Sequence, residues 1–181
     1  MDDYIRYEPK WTIYKYKDPD NKVAKYLGGG GDVYKAPNAP YAVEEFPGNV
    51  ALKTGIKNLI IVSATPSGYT RTLRWSNSMA YLMVGKSSTL ASAGQTALLA
   101  SVSATYSKDA AMDAGYPTRT STTCKWRSTF SGTVANFAWF EYTVRNTNTR
   151  SSGKSLNRKI ATKGTKASGE TWTLELQITY T

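Results

Sequence analysis

The stretch that decides the fold is residues 171–181, TWTLELQITYT. Every second residue is apolar, and the residues between them are threonine, glutamate and glutamine. Successive side chains of a β-strand point to opposite faces, so this alternation predicts a strand with one buried face and a polar face turned to water or to a partner. We expect this strand to be central to the body. The apolar set is Trp172, Leu174, Leu176, Ile178 and Tyr180.

Other segments with strand character precede it. Apolar and polar residues alternate between Cys124 and Phe130, and short apolar runs cover residues 59–62, 79–84 and 137–144. Turn residues such as glycine and proline separate these runs. The sequence therefore predicts a mainly β fold: an antiparallel β-sandwich or jelly-roll-like body over residues 51–181. Weak helical spacing is present only around residues 98–106.

Residues 1–50 differ from the rest of the chain in their glycine and proline content. Gly28 to Gly31 are consecutive glycines, and Pro37, Pro40 and Pro47 follow closely. Glycine runs and closely spaced prolines disfavour helices and central strands, so we predict an extended N-terminal arm with a flexible glycine hinge. The aromatic rings of the arm need a surface, on its own body or on a neighbouring subunit. The candidate assembly interface is Tyr4, Tyr7, Trp11, Tyr14, Tyr16, Tyr26 and Tyr34.

The composition excludes several kinds of site. The 181 residues contain no histidine and a single cysteine, Cys124. Imidazole acid–base catalysis, histidine metal sites and a disulfide framework are therefore excluded. No stretch of apolar residues is long enough to cross a membrane, and the acidic start of the chain does not resemble a signal peptide. We predict no catalytic residue, no cofactor and no bound metal.

The charge is strongly positive, at +10, and residues 46–108 contain no acidic residue. A candidate basic face consists of Lys125, Arg127, Arg158 and Lys159. Such a face suits either an acidic protein partner or nucleic acid. In the segment Lys125-Trp126-Arg127, strand periodicity sends the ring and the charges to opposite faces. We therefore expect nucleic-acid binding to be at most weak and non-specific.

Residues 80–87, AYLMVGKS, fit a relaxed phosphate-loop pattern in which alanine replaces the first glycine. The positions that would form the flexible loop are tyrosine, leucine, methionine and valine, which favour a strand. We interpret this segment as a strand that ends at Gly85.

Five segments of the chain carry a resemblance to a known class of proteins. They are VGKSST (residues 84–89), QTALL (95–99), AMDAGYPT (111–118), WRSTFSGTVANFAWFEYTVRN (126–146) and LNRKIATKGTKASGETWTLELQITYT (156–181). In their order and texture, over about residues 45–181, they resemble virion proteins of tailed bacteriophages. The resemblance implies a β-rich, non-enzymatic component of the particle, in the head decoration, the neck or the tail fibre.

These observations lead to an expected function. We expect a structural component of a bacteriophage particle, a capsid-associated decoration or accessory protein that acts by self-assembly and by docking on other virion proteins. A tail, neck or fibre protein is the close alternative. A nucleic-acid-binding protein and a carbohydrate-binding module are alternatives of other classes. The expected location is the virion, assembled in the host cytoplasm, where one unpaired cysteine is harmless.

Overall fold

The computed structural model of the chain describes residues 6–57, 75–76, 79–103, 105–149 and 153–181. Its fold is mainly β, with two antiparallel sheets of five strands each in a sandwich-like arrangement. The predicted fold class is therefore confirmed. The strand predicted at residues 59–62 lies outside the described residues.

The first sheet contains the strand that the sequence identified most clearly. Its members are β1 (Tyr7–Lys17), β2 (Ala42–Pro47), β6 (Thr118–Thr120), β7 (Thr123–Phe130) and β10 (Glu170–Tyr180), in the order β2-β1-β10-β7-β6. β10 is hydrogen-bonded on both edges, and Leu176 lies opposite Trp11 of β1 and Trp126 of β7. The predicted central position of this strand is confirmed.

The second sheet completes the sandwich. Its members are β3 (Val50–Ala51), β4 (Tyr81–Gly85), β5 (Ser107–Ala111), β8 (Glu141–Arg145) and β9 (Asn157–Ile160), in the order β3-β9-β8-β4-β5. β4 ends at Gly85, so residues 80–87 contain a strand, as predicted, and not a phosphate loop. The helical spacing near residue 98 corresponds to one 3-10 helix, Leu99–Val102, and residues 53–57 are also helical.

The main core fills the space between the two sheets. The alternating apolar residues of β10 point into it, together with Trp11 and Ile13 of β1. The second sheet contributes apolar residues of β4 and β8 to the same core. The fully buried members from the strands are Trp11, Ile13, Leu82, Val84, Phe130, Tyr142, Val144, Trp172, Leu174, Leu176 and Ile178. Removal of this surface from water is the main stabilising contribution to the fold.

We expect Leu176→Ala to lower the free energy of unfolding by about 2–5 kcal/mol, because it leaves a cavity at the centre of this core. Urea denaturation followed by tryptophan fluorescence measures the loss. Val43→Ala on the edge strand β2 is the control, since Val43 is 43% exposed. Equal losses in the two variants would contradict the central placement of β10.

The polar face of β10 is also buried, which differs from the expectation that it faces water or a partner. The short helix α1 (Lys22–Gly28) and the segment that follows it cover this outer face of the first sheet. Thr171 and Thr173 are fully buried, and Glu175 is 6% exposed. A second apolar cluster forms here from Tyr14, Tyr16, Val23, Leu27 and Val33.

The prediction that residues 1–50 form an arm outside the body is wrong for residues 7–47. β1 lies between β2 and β10, and Trp11 and Ile13 belong to the main core. The physical reason is that both faces of β1 are covered, one by the second sheet and the other by α1. The chain then crosses from the first sheet to the second between Pro47 and Val50, near the predicted boundary.

Local contacts explain why α1 begins where it does. The Asp18 carboxylate accepts hydrogen bonds from the backbone N–H groups of Val23 at 3.0 Å and Ala24 at 2.9 Å. These N–H groups of the first turn have no partner within the helix. The Thr171 hydroxyl donates to the same carboxylate at 2.7 Å, so α1 is anchored to β10.

The glycines after α1 form a tight turn, which corrects the prediction of a flexible hinge. Gly30 has φ +91°, and a Cβ there would lie 2.7 Å from the carbonyl oxygen of Ala114. A Cβ on Gly31 would lie 2.3 Å from the ring of Tyr26. Glycine is required at both positions because the backbone approaches its neighbours so closely.

Candidate docking surface and cleft

The predicted aromatic interface is mostly inside the chain. Tyr4 lies outside the described residues. Tyr34 is 73% exposed. The five other rings are buried or half-buried against the two clusters: Tyr7, Trp11, Tyr14, Tyr16 and Tyr26. The six described residues therefore do not form one exposed assembly surface, because four of them lie on β1, whose two faces are covered, and Tyr26 packs against the second cluster.

The predicted basic face is divided between the two sheets. Lys125 and Arg127 lie on β7 of the first sheet, and Arg158 and Lys159 lie on β9 of the second. Both arginines are buried in ion pairs, and both lysines are half-buried. The four residues do not form one surface, so this prediction is wrong. Trp126 does face the core, as the strand periodicity predicted.

Arg127 joins the first sheet to the layer that covers it. Its Nε donates to Asp113 Oδ2 at 2.8 Å, and its Nη2 donates to the carbonyl oxygen of Leu27 at 3.0 Å. The guanidinium carbon lies 4.3 Å from the centroid of the Tyr116 ring. Burial raises the pKa of the Asp113 carboxyl, and the nearby Arg127 opposes that rise. Arg127 is therefore committed to internal contacts that hold the end of α1.

A second buried ion pair lies in the other sheet. Arg158 Nε donates to Glu141 Oε2 at 2.9 Å, and both side chains are fully buried. Glu141 also accepts the backbone N–H groups of Leu99 at 3.0 Å and Ala100 at 2.7 Å. A Cβ at position 85 would lie 2.5 Å from Glu141 Oε1, which explains the glycine at the end of β4. The carboxylate thus anchors the 3-10 helix to the sheet.

The same arginine holds the loop of residues 86–97. Arg158 Nη1 donates to the carbonyl oxygen of Leu90 at 3.2 Å and to Gln95 Oε1 at 3.0 Å. The side chain of Leu90 is nevertheless 83% exposed. The hydrogen bonds from the buried Arg158 hold the backbone of the loop in place, while the side chain of Leu90 is exposed to solvent.

A groove of about 400 Å³ lies beside this leucine. Lys159 stands in its wall, and burial lowers the pKa of its ammonium group. We call this region the Leu90 surface. Its lining residues are Asn49, Val50, Leu90, Ala91, Arg158, Lys159 and Ile160.

A separate cleft of about 370 Å³ lies on the outer face of the first sheet. The exposed ring of Tyr34 stands at this cleft and contacts the ring of Tyr14 edge to face, with centroids 5.8 Å apart. We call it the Tyr34 cleft. Its lining residues are Tyr14, Gly30, Gly31, Asp32, Val33, Tyr34, Tyr116, Lys125, Arg127 and Glu175.

Within the described ranges, histidine, cysteine, aspartate and glutamate nowhere form a group of three or more that could hold a metal ion. None of the helices in the described part of the chain is both long and apolar enough to cross a membrane.

The chain was also compared with known proteins. Family models, curated protein sequences and solved structures gave no match.

Proposed function

We propose that the chain is a structural component of a bacteriophage particle, a capsid-associated decoration or accessory protein that docks on another virion protein through the Leu90 surface. The observation that carries the proposal is the geometry of Leu90, which is 83% exposed on a loop held by the buried Glu141–Arg158 pair. A tail, neck or fibre position uses the same mechanism at another place in the particle.

The loop suits docking because it is preorganised. Ordering a flexible loop on binding costs free energy, and a loop that is already held avoids that cost. Burying a leucine side chain contributes about 1.5–3 kcal/mol. Residues that bind partners are often found on loops that a rigid scaffold positions.

The charge indicates the chemistry of the partner. The chain carries +10, and Lys159 lies in the wall of the groove. Opposite charge across an interface steers association and suppresses wrong partners. We propose an acidic surface of a virion protein as the partner, with copies of the chain packing side by side once they are seated on it.

The resemblance to phage virion proteins also supports a docking role for the loop that presents Leu90. Two of the segments that carry it, residues 84–89 and 95–99, include the two ends of the loop that presents Leu90. Nucleic-acid binding receives less support from the predicted basic residues, because Arg127 and Arg158 are buried in ion pairs.

Purified particles of the phage that carries this gene test the role directly. We expect the chain to be detected in them by mass spectrometry and by immunogold labelling in negative stain. The label then distinguishes head, neck and tail. Absence of the chain from intact particles would overturn the proposal.

Leu90→Asp tests the docking surface. We expect it to weaken binding to particles that lack the chain by at least about tenfold, because it places a charge where the apolar contact forms and near an acidic partner. Thermal unfolding should be unchanged, since the side chain is exposed.

Val43→Asp is the matched control for this variant, because it introduces the same charge at a half-exposed apolar position of the first sheet. Co-sedimentation with particles measures the binding of both variants. Equal binding of Leu90→Asp and Val43→Asp would show that the Leu90 surface is not the docking site.

A further inference from the structure

We propose that the Tyr34 cleft binds a neutral saccharide. This site lies on the first sheet and is separate from the Leu90 surface on the second, so the inference goes beyond the proposed structural role. It rests on the combination of a buried carboxyl group, an exposed aromatic ring, charges that are mostly neutralised in ion pairs and a preformed wall.

The carboxyl group of Glu175 provides the hydrogen-bond acceptors. Its side chain is 8% exposed and lines the cleft. Among the described residues, Lys125 Nζ at 3.5 Å is the one cation within ion-pair distance of it. A carboxylate has about four acceptor positions, and buried polar groups without partners are costly. Hydroxyl groups of a ligand in the cleft would donate to the positions that this single long contact leaves open.

The ring of Tyr34 provides an apolar platform. It is 73% exposed, and the buried ring of Tyr14 supports it edge to face. Tyr116 stands in the wall as well, stacked on the guanidinium of Arg127. Tyrosine offers a large apolar face at a low cost in conformational entropy, and small-molecule sites combine such faces with a few placed polar groups.

The charges favour a neutral ligand over an ionic one. Glu175 and Asp32 contribute negative charge to the wall, and Lys125 and Arg127 contribute positive charge. The charge of Arg127 is already matched by Asp113. Lys125 pairs with Glu175 in the same way, so the carboxylate of Asp32, which is exposed to solvent that screens it, is the remaining charge of the wall. The cleft therefore has no positive excess for a phosphate or sulfate and only a weak attraction for a cation. A polyol both donates hydrogen bonds to the carboxylates and accepts them from Lys125.

The cleft is also preformed. Gly30 and Gly31, which form part of its wall, approach Ala114 and Tyr26 too closely for any larger residue. Its volume of about 370 Å³ lies within the range of small-molecule sites, about 300–1,000 Å³. A ligand would therefore bind without paying for the ordering of this segment.

A neutral-glycan array probed with the full chain, followed by calorimetry on the glycans that bind, tests the proposal. We expect Tyr34→Ala to weaken binding by about tenfold and Glu175→Gln to weaken it as well. Tyr106→Ala is the matched control, since it removes a tyrosine that is 52% exposed beside the second sheet. It should bind as the original chain does.

Three results would overturn the proposal. One is the absence of binding to any neutral glycan on the array. Another is binding confined to sulfated glycans on a parallel anionic array, which would indicate an anion site. The third is binding that Tyr34→Ala leaves unchanged, which would place the saccharide elsewhere. Because Tyr34 is on the surface, the variant remains folded and each result is decisive.

Discussion

Deletion of residues 1–17 is expected to abolish the cooperative unfolding transition of the chain. β1 lies between β2 and β10 in the first sheet, and it pairs with β10 from Tyr7 to Lys17. The deletion leaves one edge of β10 without a partner, separates β2 from the sheet and removes the fully buried side chains of Trp11 and Ile13. Loss of a buried tryptophan alone costs about 3–5 kcal/mol, and a typical domain is stable by about 5–15 kcal/mol.

Urea denaturation followed by far-ultraviolet circular dichroism measures this effect. Deletion of residues 1–5 is the control, because it leaves all of β1 in place. A cooperative transition of nearly unchanged free energy in the chain without residues 1–17 would contradict the placement of β1. It would also restore the interpretation of the N-terminal segment as an arm.

The features that sequence reasoning predicted correctly depend on local periodicity. The alternation from Trp172 to Tyr180 reports both the strand and its buried face, because neighbouring side chains of a strand point in opposite directions. The position of Trp126 relative to Lys125 and Arg127 follows from the same rule. These predictions needed no knowledge of which elements lie next to each other.

The N-terminal segment shows where that reasoning fails. Tyr14 and Tyr16 lie on a face that the short helix α1 covers, so aromatic rings suited to an interface are used inside the chain. The helix itself is seven residues long and begins at contacts with Asp18, whose carboxylate also binds Thr171 across 153 positions of sequence. Such long-range contacts leave no periodic signal in the sequence.

The candidate sites also contain features that local periodicity could not predict. The buried state of Arg127 and Arg158 depends on Asp113 and Glu141, which are distant in sequence. One signal for the second pair was nevertheless present, because Glu141 stands between two aromatic residues in the segment FEY. A charge inside an apolar strand predicts a buried partner, since a buried charge without one is very costly. The Tyr34 cleft had no such signal, because five separate segments of the chain form it.

Glu141→Ala is expected to lower the free energy of unfolding by about 3–5 kcal/mol, because it leaves the charge of Arg158 buried without its partner. It also removes the acceptor for the N–H groups of Leu99 and Ala100. Guanidinium chloride denaturation measures the loss. Glu45→Ala is the control, since the Lys10–Glu45 pair is exposed and such pairs contribute about 0–1 kcal/mol.

The double variant Glu141→Leu/Arg158→Met separates the stability of the pair from its role in holding the loop. Replacing both members of a buried ion pair with apolar residues is often neutral, so we expect the double variant to be more stable than Glu141→Leu alone. The loop of residues 86–97 nevertheless loses the hydrogen bonds that Arg158 makes to Leu90 and Gln95. Binding to particles should therefore remain low in the double variant even though it is more stable than Glu141→Leu. Binding of the double variant as tight as that of the original chain would contradict the conclusion that the pair positions the loop for docking.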